Sequence, residues 1–187
     1  MKKTFIFLLI LSMIGCKSDR QNTIDLGTIT VDKNISKSET IKILSDYPEL
    51  KLFNSEKLES QTRTAHIIQN AIFFDRTKRI IRFDDYKAKA FYKGDTLELW
   101  INNYNGYFGN GVQIQIFDHH FKVNNISPKT MKNEVKFIKA ELIAQKLILN
   151  SNSYNKKDSI YGFINYRCKI DSLVEKQFSG YFKTIIQ

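Results

Sequence analysis

IYGFINYRCKI (Ile160–Ile170) and VEKQFSGYFKTII (Val174–Ile186), joined by Asp171, Ser172 and Leu173, decide the fold. In the first run Ile160, Gly162, Ile164, Tyr166, Cys168 and Ile170 alternate with Tyr161, Phe163, Asn165, Arg167 and Lys169. In the second, Val174, Phe178, Phe182 and Ile186 alternate with Glu175, Gln177, Ser179, Tyr181 and Lys183. A period of two belongs to an extended strand, whose successive side chains point to opposite faces. Two such runs with a short connection predict an antiparallel hairpin with one face on a core. Cys168 falls on the apolar face, where a thiol behaves as a small hydrophobe.

The segment leading into this hairpin has a counterpart upstream. KKDSIYGFIN (Lys156–Asn165) lines up with KGDTLELWIN (Lys93–Asn102). Each places Lys-x-Asp-Thr/Ser before an aliphatic residue and ends on an aromatic, Ile and Asn. The shared content is a turn whose Asp can bond its own backbone, feeding a strand with a fixed inward face. Equivalent strands in two halves of a sandwich would explain it, as in immunoglobulin-like folds.

Between these segments the chain also reads as strand. AIFFD and RIIRF flank RTK like a hairpin over Ala71–Phe83, and AKAFY precedes the KGD turn. Leu97, Leu99 and Ile101 share one face of the next strand, opposite Thr96, Glu98 and Trp100. Val112–Val123 reads as one further strand. Val135–Leu149 mixes the periods of strand and helix and fits either. Near the N-terminus, Ile24–Val31 reads as a first short strand. Ser36 and Glu39 match a capping box, with Ser36 as N-cap of a helix stopped before Pro48. Ile41, Ile43 and Leu44 would serve a strand as well. The expected fold is mainly β, an antiparallel β-sandwich of immunoglobulin-like type with one short N-terminal helix.

The 187 residues, 42% hydrophobic, suffice for one domain with a real core. Two cysteines exclude a disulfide framework and a Cys-based zinc finger. The net charge of +10 comes from basic residues spread along the chain, without a recognition-helix or RNA-binding pattern. No nucleic-acid partner is expected. Such charge suits a solvated surface, anionic headgroups, lipopolysaccharide or acidic glycans.

The chain opens MKKTFIFLLILSMIGC, with Lys2 and Lys3 before an apolar stretch from Thr4 to Gly15. A bilayer core needs about twenty residues, so this stretch has the proportions of a signal peptide. Its end, Met13-Ile14-Gly15-Cys16, resembles the lipobox of bacterial lipoprotein precursors, with Met where Leu is usual. The resemblance implies a diacylglycerol on the Cys16 thiol, cleavage before Cys16 and acylation of the new N-terminus. It covers the leader alone. On this reading residues 1–15 are the signal peptide, 16–35 a tether with the first short strand, and 36–187 a single β-rich domain. Lys17 after the Cys, instead of Asp, implies sorting to the outer membrane. The Lys-, Ile- and Asn-rich composition is similar to that of the Bacteroidota type. The remaining cysteine, Cys168, has no partner and should be buried.

No candidate catalytic residue stands out. There is no G-x-S-x-G elbow, dinucleotide fingerprint or P-loop, and no cofactor is expected. Asp118-His119-His120 invites a metal reading. On a regular strand, however, His119 would point away from its neighbours, so a bulge or strand end is the plainer reading. The unusual segment is NNYNGYFGNG (Asn102–Gly111), built only of Asn, Gly and aromatics. Tyr104, Tyr107 and Phe108 offer flat faces and the Asn amides offer hydrogen bonds, a composition that resembles antibody paratopes. Trp100 would extend that surface. The expected function is a lipid-anchored envelope protein with a binding or structural domain, its partners the membrane and a glycan or envelope protein. An exported hydrolase and a periplasmic immunity or inhibitor lipoprotein are the alternatives.

Overall fold

The structure is a computed structural model and describes residues 25–51, 58, 60–75, 77–103, 110–128 and 135–187. Cys16, Tyr104, Tyr107 and Phe108 lie outside the described residues. In chain order the elements are β1 (Gly27–Thr28), β2 (Thr30–Val31), a turn of 3-10 helix (Ile35–Lys37), α1 (Glu39–Asp46), β3 (Ala65–Phe74), β4 (Lys78–Phe83) and β5 (Lys87–Lys93). There follow β6 (Thr96–Asn102), β7 (Gly111–Phe117), β8 (His120–Pro128), β9 (Val135–Ile138), β10 (Glu141–Leu149), β11 (Ser159–Lys169) and β12 (Val174–Ile185). Among the described residues they form two six-stranded sheets. One runs β1-β8-β7-β6-β5, with β9 also on β8. The other runs β2-β10-β11-β12-β3-β4. Pairing is antiparallel except between β2 and β10.

The inner faces of both sheets meet in one core, which makes the fold a β-sandwich. Ala88, Leu99, Ile101 and Ile114 come from the first sheet and Ile67, Leu147, Ile164 and Phe182 from the second. β11 and β12 pair from Ser159↔Ile185 to Lys169↔Glu175, as their alternation predicts. Cys168 is fully buried and free. Gly180 in β12 has φ +151° and lies against β3, so that a Cβ would fall onto the His66 carbonyl oxygen. Only glycine fits there without moving a neighbouring strand.

The two similar segments have matching roles. Gly94 (φ +59°) and Lys157 (φ +73°) take the same left-handed turn position. Each turn feeds an interior strand, β6 between β5 and β7, β11 between β10 and β12. Asp158 Oδ2 accepts from the Asn155 backbone N–H at 2.7 Å, a local bond of the expected kind.

Three expectations need correction, each because a run changes sheet, turns or starts later than its pattern suggests. The expected strand Ile24–Val31 is two strands of two residues in different sheets, with Ile29 between them donating to the His119 carbonyl at 3.0 Å. Ser36 lies inside the 3-10 turn. The N-cap is Ser38, whose Oγ accepts from the Ile41 N–H at 3.4 Å, and α1 buries Ile41 and Leu44. Val112–Val123 is a hairpin, not one strand, turning at Asp118 (φ +46°) and His119 (φ +64°). Two consecutive left-handed residues make the tight turn that matches strand twist. Val135–Leu149, which fitted either element, forms two strands separated by Lys139 and Ala140, β9 in the first sheet and β10 in the second. A register irregularity between Leu142 and Ala144 breaks the alternation, which is why the run mixes periods.

Candidate functional site

Of the four residues proposed for binding, Trp100 is described, and it lines the wall of a cleft of about 700 Å³. The β5–β6 hairpin supplies that wall. Lys87 and Lys89 point outward because Ala88 and Ala90, between and after them, face the core. Lys89 pairs across the ladder with Trp100. The indole is held in place, with Nε1 donating to Glu98 Oε2 at 2.9 Å and the ring stacked on Phe91 at 6.2 Å between centroids. Glu98 is itself buried on this outward face.

The other walls come from distant parts of the chain. Thr184–Gln187 runs beside β5, where Ile186 bridges Ala90 and the Gln187 N–H donates to the Ala90 carbonyl at 2.9 Å. Lys157 reaches the same cleft from the β10–β11 connection. Pro48 bridges Thr62, which brings Glu49 and Ser60–Thr62 over the opening. Thr64 ties this wall to the hairpin, its Oγ1 accepting from the Ala88 N–H at 3.0 Å.

Among the described residues that line the cleft are Lys87, Lys89, Lys157 and Glu49. Glu49 lies 3.8 Å from the Lys87 ammonium, both side chains being largely buried, and Glu49 Oε2 accepts from the Ser60 N–H at 3.2 Å. Such a pair repays part of its desolvation and fixes position more than it adds stability. Lys87 therefore serves the wall.

The Asn102–Gly111 segment is described only at its ends. Asn102 and Asn103 are buried, the Asn103 N–H donates to the Asn110 carbonyl at 3.2 Å, and Asn103 Oδ1 accepts from the Asn110 N–H at 2.9 Å. These amides close the stem of the loop and do not present themselves to a ligand. Lys176 completes the stem. It lies on the inward face of β12 opposite Cys168, and its Nζ donates to Asn110 Oδ1 at 2.7 Å. Burial holds its ammonium below the ordinary lysine pKa. Burial pushes the Cys168 thiol up, and Cys168 Sγ sits 3.5 Å from Asn125 Oδ1, so thiolate nucleophile is scarce there at neutral pH. Asn125 Nδ2 donates to the Tyr166 hydroxyl at 2.6 Å, closing a polar knot inside the sandwich.

Asp118 and His119 sit at the β7–β8 turn, and His120 Nδ1 is bonded to the Asp118 carbonyl at 2.7 Å. Among the described residues no three His, Cys, Asp or Glu side chains cluster as metal ligands would, and no helix is long and apolar enough to cross a membrane. Sequence reasoning found Trp100 but treated Lys87 and Lys89 as part of a dispersed charge. The Lys-Ala-Lys-Ala alternation before Phe91 was the available signal. Glu49 and Lys157 carried none. Comparison with family models, with curated proteins and with solved structures finds no match for this chain.

Proposed function

We propose that this is a lipid-anchored cell-envelope protein whose β-sandwich works by binding, with the Trp100 cleft as its binding site. The observation that carries the anchoring is the leader, in which Lys2 and Lys3, an apolar stretch and Met13-Ile14-Gly15-Cys16 follow in order. One acyl chain binds a bilayer marginally, at about 0.8 kcal/mol per buried CH₂, whereas two or three on Cys16 hold the protein there stably. Outer-membrane sorting follows from Lys17. The binding reading is supported by a cleft of ligand size with a fixed aromatic wall and convergent polar groups.

Growing cells on a radioactive fatty acid tests the anchor. The wild type takes up label and sediments with membranes, while Cys16→Ala does neither. Label and sedimentation unchanged in Cys16→Ala would remove the lipoprotein reading.

A further inference from the structure

We infer that two copies of this chain join edge to edge through β4, so that the second sheet runs unbroken across both. The inference stands apart from the Trp100 cleft and from the anchor. β4 is the outermost strand of its sheet and pairs with β3 on one side; among the described residues nothing pairs with its other side. Its sequence, KRIIRF (Lys78–Phe83), leaves Ile80 59% and Ile81 47% exposed. Phe74 of β3 is exposed on the same face as Ile80. A strand with apolar side chains and an open row of backbone groups is a template for a further strand.

The ladder shows which groups are open. The Phe74 N–H donates to the Leu173 carbonyl at 2.7 Å, and the Thr64 carbonyl accepts from the Lys183 N–H at 2.8 Å. Even-numbered residues of β3 therefore turn their backbone groups to β12. Odd-numbered ones turn to β4, where Gln69, Ala71 and Phe73 meet Phe83, Ile81 and Arg79. Lys78, Ile80 and Arg82 then point theirs at the open edge.

Charge selects the occupant and the register. A basic strand ordinarily repels its own copy. Two-fold pairing of an edge with itself keeps each face of the sheet continuous, so a residue meets one from its own face. Centred on Ile80, the pairing sets Lys78 against Arg82 of the second copy. Centred on Arg79 or Arg82, it sets a guanidinium against itself. Centred on Ile81, it puts Lys78 opposite Asp84, the residue after β4, with Arg79 opposite Phe83 and Ile80 opposite Arg82. Symmetry makes each of these contacts twice. Lys–Asp is an opposite-charge pair, and Arg–Phe places a cation by a ring. Arg79 already lies over the Phe73 ring of its own chain, 5.8 Å from the centroid. Arg79 and Arg82 also carry Asp75 and Asp84 of their own chain, which offsets part of the charge brought together. The segment is thus complementary to itself in that register.

The test uses the full-length chain in mild detergent, with one cysteine added on β4. Oxidation by copper-phenanthroline should link Ile81→Cys copies into a dimer. The residue on the axis meets its own copy in a pair without backbone bonds, where β-carbons come about 4.5–5.5 Å apart. Ile80→Cys should link about tenfold more slowly, although Ile80 is the more exposed, because its copy lies two residues along the strand. Cys168 is buried, and the wild-type chain oxidised in parallel reports any link through its own cysteines. In sedimentation equilibrium, Lys78→Asp and Asp84→Lys should each weaken the dimer about tenfold, and the two together should restore it. Ile80→Pro, which removes only an edge-facing N–H, should abolish it. Equal linking of the two cysteine variants marks chance collision and overturns the pairing. Faster linking of Ile80→Cys overturns the register. A chain that sediments as a monomer and links neither variant overturns the inference, even where another protein's extended segment binds the edge.

Discussion

β6 and β11 start from similar sequence patterns and end with different surroundings. Both follow a left-handed turn residue, both lie inside a sheet and both bury one face completely. Their outer faces diverge. On β11, Phe163 packs at a tilt against Tyr181 with centroids 5.0 Å apart, and Arg167 bonds Glu175 of β12 at 2.7 Å. These are ordinary cross-strand neighbours. On β6, Glu98 is buried and Trp100 forms one wall of a cleft whose other walls come from residues far along the chain. The local code builds the strand, and what crosses over its outer face decides whether that face is surface or site.

The same contrast appears in two ion pairs. Arg167–Glu175 has the better geometry but lies on a solvent-facing side of the sheet, with the Arg167 side chain exposed. Lys87–Glu49, at 3.8 Å, is longer and largely buried. Three substitutions test which property counts. The largest effect should come from Gly180→Ala, which pushes a Cβ onto the His66 carbonyl and forces β12 from β3. A loss of about 3 kcal/mol is expected by chemical denaturation. A near-neutral result would show that the β12–β3 register is softer than the packing of this hairpin implies. Next is Lys87→Gln, which removes the ammonium 3.8 Å from the largely buried Glu49 carboxylate and should cost about 2 kcal/mol. The smallest is Arg167→Gln, expected to cost about 0.5 kcal/mol or less because the pair is solvent-screened.

The Arg167 hydrogen bond lowers the Glu175 pKa, and this gives the last variant a pH signature. A carboxylate with a depressed folded pKa contributes stability above its unfolded pKa and loses it as pH falls through the folded value. The gap between wild type and Arg167→Gln should therefore close under acid conditions. If Arg167→Gln instead costs as much as Lys87→Gln at neutral pH, burial is not what separates the two pairs.

The C-terminal hairpin, the Ala71–Phe83 hairpin and the buried Cys168 were legible in the sequence because each depends on neighbours a few residues away. Alternation states which side chains face inward, and a short connection supplies the pairing partner. It does not state which sheet a strand joins. Gly27–Val31 and Val135–Leu149 each split between sheets, and two-residue strands have no period to read. Lys176 escaped notice because a lysine on an inward position looks like an outward one until its acceptor is known, and that acceptor, Asn110, lies on another strand connection. Trp100 stood out by type, while its cleft did not exist until residues near 49, 62, 89, 157 and 186 came together. The amino-acid order thus carried the strands and their buried faces, which rest on local spacing. The site rests on long-range contacts, and only the packing of two sheets and their connections brought it into being.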